Sequence, residues 1–358
     1  MSSCRATVGV MAPVSGSLDG LGVQQADWAS LAVTVFDETH GARIGVQVAN
    51  TALEPALAVT IARRFVADPS VLAVVGPASG AEVRAVGPLL GRAQMAFVSP
   101  SASSDDLFTG RFPTFFGTVA KRGEEGVFDA RFIAGHLGAR HVAVIVDGSP
   151  YSADLAGPAT RTLERHHVSV YAASVSQSAV NYSAVVAHLP ADVTVVYLPW
   201  QIAGEAQLFA SELAAAHRKV VVVGSDQVAV PIEFHATGDY VTEFGPQLSS
   251  TGSAGRLLRR FAATYHLPAT TAGPPAYVAA TVVLDGIEAA CASGRPSRAK
   301  VLAAVRRTDL ATSLVGRPVR FDRYGLQLGA TLYMFRVGHG GGYVEIPAAT
   351  STATPGHA

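Results

Sequence analysis

Cysteine is nearly missing from this chain. Two in 358 residues, Cys4 and Cys291, exclude a disulfide framework and any zinc site built from several thiolates. Surplus charge is missing too. Lys and Arg number 27, and so do Asp and Glu. A net charge of zero offers no basic face to nucleic acid or to an anionic membrane. The histidines lack the paired spacing of a zinc-binding helix; His166 and His167 are adjacent, face different ways and are expected at the surface. No apolar run is read as reaching the ~20 residues that cross a bilayer. No charged-then-apolar leader opens the chain, so the protein stays inside the cell or its export signal was removed before this numbering begins. What is plentiful is apolar: 49% hydrophobic against 15% charged, enough for large cores and too apolar for disorder. At ~150 residues per domain the length suggests two.

The stretch LAVVGPASGAEVRAVGPLLGRAQMAFVSPSASS, from Leu72 to Ser104, carries the most information. Leu72–Val75 and Met95–Val98 read as buried strands. Between them Val83, Val86, Leu89 and Leu90 have helical spacing. Both strands end in small, hydroxyl-rich turns, around Gly76–Gly80 and Ser99–Ser103. Open α/β sheets bind ligands at the carboxyl ends of their strands. Turn N–H groups and hydroxyls there suit an anion such as a carboxylate. Ser79 does not read as a nucleophile elbow, which needs glycine two residues before the serine, where Pro77 stands.

Strand–helix alternation runs through most of the chain. Thr7–Met11, Ile44–Val48 and the two strands above form one series, with helices at Gln25–Glu38 and from Pro55, a residue tolerated in a first helical turn, to Val66. A second series begins with a helix at Glu124–His136. Its strands are His141–Asp147, Val168–Ala173, Val193–Leu198 and Val220–Val223. Its helices are Ser152–His166, Tyr182–Leu189 and Glu205–Ala216. Such alternation predicts parallel sheets with helices on both faces. In the last third, helices at Ala254–Tyr265, Ala276–Ala292 and Ser297–Arg306 must pack on an existing sheet, the first. A hairpin, Ala330–Val337 with Tyr343–Ile346, follows.

The expectation is an α/β protein of two similar lobes, each a parallel sheet flanked by helices. The first lobe takes 5–120 and 251–327, the second 121–250 and 328–348, with a disordered tail at 349–358. The chain then crosses between lobes three times. Cys291 is expected in the core of its helix. Cys4 stands after Ser2 and Ser3, the context in which bacterial lipoproteins begin, or is an incidental thiol. Asp147 and Asp226 each follow a strand and can cap a turn; Asp226 is also a candidate ligand contact. Trp200 suits a pocket wall or lobe packing equally.

GVMAPVSGSLDGLG, VVGPASGAEV, FVSPSASSDDL, VAVIVDGSPYSADL, VVYLPW, VVVGSD and VGRPVRFDRYG occur in this order. In them the chain resembles the type I periplasmic binding proteins of the branched-chain amino-acid (Leu/Ile/Val-binding) group, from Val8 to about Ile346. The resemblance implies two lobes joined by three hinge crossings that close on a ligand. It implies a carboxylate held by first-lobe hydroxyls and N–H groups. Gly80 stands where a serine is usual, with Ser79 beside it. Ser103 matches a second hydroxyl, and the Ser101 carbonyl lies where an ammonium is met. Leu21 replaces a pocket aromatic. In the second lobe Tyr151 matches a tyrosine at the cleft mouth, Trp200 and Gln201 fall at an aromatic contact, and Asp226 matches the acid that pairs with the ammonium. An acidic position is Arg122, which favours a more anionic ligand or is a solvated hinge residue. Gly117 replaces an arginine. The usual cysteine pair is absent, with Leu53 and Ser79 in its place.

The implied function is that of a solute-binding protein, not an enzyme. It captures a small amphipathic ligand, an amino acid or a related carboxylate or amide, and delivers it to a membrane ABC permease. No cofactor, metal or nucleic acid is implied. The implied location is the cell envelope, exported and lipid-anchored at Cys4. The alternative is a ligand-sensing regulatory domain of the same fold, cytoplasmic or part of a receptor.

Overall fold

The computed structural model describes residues 5–16, 18–347 and 351–352. It divides into two compact units. Of the described residues, unit 1 holds those up to Ala120 and Gly245–Ala330; unit 2 holds Lys121–Phe244 and those from Thr331 onward. The second and third boundaries fall at Gly245 and Thr331, where the sequence suggested 251 and 328.

Unit 1 is built on a five-stranded parallel sheet ordered β2-β1-β3-β4-β5. Its strands are β1 (Arg5–Ala12), β2 (Arg43–Asn50), β3 (Val71–Val75), β4 (Ala96–Ser99) and β5 (Phe115–Gly117). All five residues of β3 and all four of β4 are buried, as parallel strands covered on both faces require. Helices α1 (Asp19–His40), α2 (Pro55–Ala67) and α3 (Gly80–Arg92) come from the first series. Helices α8 (Gly252–Tyr265), α9 (Gly273–Ala292) and α10 (Arg298–Val305) come from the last third. As expected, α9 packs on β3, β4, α1 and α10 of this first sheet.

Helix α9 also corrects the reading of apolar runs. It is 20 residues long and apolar enough to span a bilayer by length and composition. Most of it is buried instead in the unit 1 core, through Val278, Val282, Val283 and Ile287. Cys291, near its end, is half-buried against that core and disulfide-bonded rather than a free core thiol. Cys4 lies outside the described residues.

Unit 2 repeats the design. Strands β6 (His141–Val146), β7 (Ser169–Ser174), β8 (Val195–Leu198), β9 (Val221–Gly224) and β10 (Tyr240–Glu243) are parallel. Strand β11 (Thr331–Val337) is antiparallel to β10, and β12 (Tyr343–Glu345) to β11. The path is β12-β11-β10-β9-β8-β6-β7. Helices α4 (Arg122–Arg131), α5 (Pro150–Arg165), α6 (Ser183–His188) and α7 (Ala203–Ala215) complete it. The helix expected to run to His136 changes to a π-helical turn at Phe132–His136. In the expected disordered tail, β13 (Ser351–Thr352) pairs with Thr331 and Leu332; the rest of the tail lies outside the described residues.

In each sheet the chain reverses its winding direction once, between β1 and β3 in unit 1 and between β6 and β8 in unit 2. At such points the connections leave to opposite faces, opening a crevice at the carboxyl ends of the strands. The candidate residues follow these strand ends.

Candidate functional site

In unit 1 the turns after β3 and β4 are stitched together. Ser99 Oγ donates to the Pro77 carbonyl (2.7 Å) and Ser101 Oγ to the Ala78 carbonyl (2.9 Å). Gln25 of α1 donates to Ser101 Oγ (2.9 Å), tying the serine turn to a third element. Gly76 turns the chain at φ +97°, a conformation glycine adopts freely.

Ser79 is the N-cap of α3. Its hydroxyl donates to Glu82 Oε2 (2.6 Å) and accepts from the Glu82 N–H (3.3 Å), while its own N–H also donates to Glu82 Oε2 (2.9 Å). This capping box consumes the hydroxyl that the sequence offered to a ligand, so Ser79 is a structural cap. The N–H groups of Gly80 and Ala81 begin the helix and belong to the donors that a helix start leaves unpaired. Ser103 is 3% exposed, and its hydroxyl has no hydrogen-bond partner among the described residues. The Ser101 carbonyl likewise accepts no bond among them. Leu21 is half-buried in the first turn of α1. That turn sits against β1's end, where Gly22 leaves no room for a Cβ beside the Pro13 carbonyl. Unit 1 thus carries N–H and hydroxyl donors and one carbonyl acceptor at the ends of β3 and β4.

Unit 2 presents the opposite polarity. Asp226 follows β9 and is half-buried. Its carboxylate accepts from the Tyr151 hydroxyl and from Gln227 Nε2 (2.8 Å), and its N–H donates to Glu125 Oε1 (2.8 Å). Tyr151 lies in the first turn of α5, capped by Ser149. Burial, with Asp226 and Glu125 nearby, pushes its phenol well above the usual range, so it stays protonated and donates.

Behind Asp226 lie two acids one helical turn apart on α4, both fully buried. Glu125 is held well above the usual carboxyl range by burial, then by the Asp226 and Asp129 charges. Asp129 is raised to about 7, mainly by burial, against the lowering effect of Thr242 and Tyr197. Its carboxylate accepts from both hydroxyls, Tyr197 at 2.7 Å. Sequence reasoning missed Glu125, Asp129 and Tyr197. The available signal was two acids four apart in a helix whose other inward positions are Gly126, Phe128 and Ala130.

Arg122 is not a solvated hinge residue. Its side chain is 14% exposed, donates to Asp154 (3.0 Å) and lies 4.6 Å above the Tyr151 ring centre. Trp200 takes the packing role. It is 0% exposed, packs against Tyr182 in a tilted and Phe209 in an edge-on contact, and donates to the Ile145 carbonyl (2.7 Å). Gln201 is half-buried, its N–H held by Asp147 Oδ2 (3.0 Å). Asp147 also binds the Ser149 N–H and hydroxyl and Gln177, which makes it a turn support. Among the described residues no three His, Cys, Asp or Glu side chains group as a metal site.

Two α/β units, each with polar residues gathered at its strand ends, have the build of a protein that holds a small ligand. Residues 6–342 match the family model described as periplasmic binding protein, and the chain belongs to that family. It is 27% identical over 225 residues to Leu/Ile/Val-binding protein homolog 3 of Brucella melitensis, an alignment spanning 62% of this chain and 61% of that protein. It is 25% identical over 293 residues to Leu/Ile/Val-binding protein BraC3 of Rhizobium johnstonii, 79% of each. The fold is that of the branched-chain amino acid transporter substrate-binding protein LivJ of Streptococcus pneumoniae, solved with isoleucine. The TM-score is 0.82 at 20% identity, over 98% of this chain and 100% of that one.

Proposed function

We propose that the protein is a solute-binding protein that captures an α-amino acid and delivers it to an ABC permease, without catalysing a reaction. The observation that carries this reading is the pair of half-sites of opposite polarity. Unit 1 offers the Gly80 N–H and the Ser103 hydroxyl to a carboxylate. Unit 2 offers Asp226, backed by Tyr151, to an ammonium. The Ser101 carbonyl is a second acceptor for the ammonium, and Leu21 and Gln201 border the half-sites. The named relatives bind Leu, Ile or Val, which supports the ligand class. Ser103→Ala should cost ~1.5–3 kcal/mol of binding, the worth of a hydrogen bond to a charged group. Titration calorimetry with L-leucine reads this. Undiminished affinity would show that Ser103 does not hold the carboxylate.

The family supports an exported, cell-envelope location, and a disulfide is at home in an oxidising compartment. Cys4 is the only cysteine besides Cys291. A thiol spent on a lipid anchor at Cys4 is therefore unavailable to Cys291. The expected result is that Cys291 resists alkylation until the protein is reduced. Mass spectrometry showing Cys291 alkylated without reductant, with Cys4 lipid-modified, would instead establish the anchored form.

A further inference from the structure

We propose that Ser104 is a ligand-binding residue, carrying to the start of α3 the hydroxyl that Gly80 lacks. The inference rests on the reading of unit 1 as the carboxylate half-site.

Gly80 is the first residue of α3 and is buried. A Cβ placed on it would overlap Ser104 Oγ and stand 3.1 Å from Ser104 Cβ. The volume that a side chain at 80 would enter is therefore already filled, by a hydroxyl delivered from the other turn. Ser104 is 2% exposed, and its hydroxyl has no hydrogen-bond partner among the described residues. A hydroxyl that no protein group engages keeps its hydrogen-bonding capacity for a ligand. Its oxygen lies where a Gly80 Cβ would stand, at a helix start whose first N–H groups have no partner within the helix. Those groups are donors, so what satisfies both them and the hydroxyl is an acceptor, and an anionic one is favoured by the helix dipole.

The surroundings narrow the position. The Glu82 carboxylate already occupies the Ser79 N–H and hydroxyl, so an incoming anion is turned away from Ser79. Gly80, Ser103 and Ser104 remain as donors. Ser104 is fixed in place from the other side. Its carbonyl accepts from the Leu107 N–H (3.1 Å), and two residues on Asp106 is held by Arg84 of α3 through Nε (2.8 Å) and Nη2 (2.5 Å). A rigid turn presents the hydroxyl, so little ordering is needed when the ligand arrives.

A serine at 80 would restore the usual hydroxyl if the space were open, but Ser104 fills it. The prediction is reciprocal. Ser104→Ala weakens L-leucine binding roughly 10- to 100-fold and leaves the melting temperature near that of the parent. Gly80→Ser alone lowers both affinity and melting temperature, because the new side chain overlaps Ser104. The double variant Gly80→Ser with Ser104→Ala recovers both, since one hydroxyl again occupies one space.

Titration calorimetry and thermal melts on the parent and the three variants decide it, with L-leucine or the amino acid that a screen shows to bind most tightly. Undiminished affinity in Ser104→Ala overturns the proposal and leaves the carboxylate reading standing. So does a double variant no better than Gly80→Ser. A parent that binds no amino acid overturns both.

Discussion

Asp226→Ala weakens binding of an α-amino acid by roughly 30-fold to several thousand-fold and barely affects the matched des-amino acid. The argument starts from the buried strand β9, which ends at Gly224 and delivers Asp226 beside it. Each carboxylate oxygen accepts one bond from the protein, Tyr151 on Oδ1 and Gln227 on Oδ2. Each keeps a further lone pair for an ammonium. At ~4 Å and an effective dielectric of ~20 the ion pair gains about 4 kcal/mol before desolvation. Truncating one partner of such a pair costs ~2–5 kcal/mol. Asp226→Ala also strands the Tyr151 hydroxyl, but that cost falls on both ligands alike. The comparison between ligands therefore isolates the charge. Equal losses for the two would mean that Asp226 supports its turn and reads no ammonium.

The second large effect is on stability. Between about pH 4 and pH 7 the protein loses up to ~4 kcal/mol through Asp129, at ~1.4 kcal/mol for each unit of pKa shift. The folded carboxyl titrates at about 7, against an ordinary value of 3.8. Across that window the native state holds a proton that the unfolded state has released. Stability is thus highest below the unfolded pKa, falls as pH rises, and levels off above the folded value. Glu125 acts in the same direction. Their neighbours explain the sign. Arg122 on α4 lowers Glu125 only in part, Tyr197 and Thr242 donate to Asp129 without neutralising it, and Asp226 adds a like charge. Asp239 and Asp285, raised mainly by burial to about 7 and about 6, add slopes of the same sign, so the test is a difference. Urea unfolding of the parent and of Asp129→Asn at pH 5 and pH 8 should show a markedly smaller loss in the variant. Equal losses would place the titration elsewhere.

The fold was legible because parallel strands buried on both faces leave continuous apolar runs, as in Leu72–Val75 and Val220–Val223. Hydroxyl-rich turns mark their ends. Short strands were not legible: β5 is three residues of FFG, and β10, YVTE, alternates too briefly to separate from loop. The candidates Asp226, Tyr151 and Ser103 each stand just past a strand end, which the small and hydroxyl-rich turns marked in the sequence. Other candidates were misjudged where a side chain has two possible partners. Ser79 could face a ligand or cap its helix, and Glu82 three residues on decided for the cap. Trp200 could line a pocket or fill the core, and it is held inside by Tyr182, by Phe209 and by the Ile145 carbonyl, 55 residues away. Glu125 and Asp129 showed only their spacing of four in the sequence, because the groups that enclose them, among them Tyr197 of β8 and Thr242 of β10, come from distant parts of the chain.

The claim that an α-amino acid is the ligand is tested most directly by a thermal-shift screen of the purified chain. Its arms are the amino acids, their amides and their des-amino acids. A ligand at about 100 times its dissociation constant adds ~2.7 kcal/mol of stability. The account predicts that at least one apolar amino acid raises the melting temperature, while its amide and its des-amino acid raise it far less, because each leaves one half-site empty. A melting temperature that no amino acid moves, or that the des-amino acid moves as far, would contradict it.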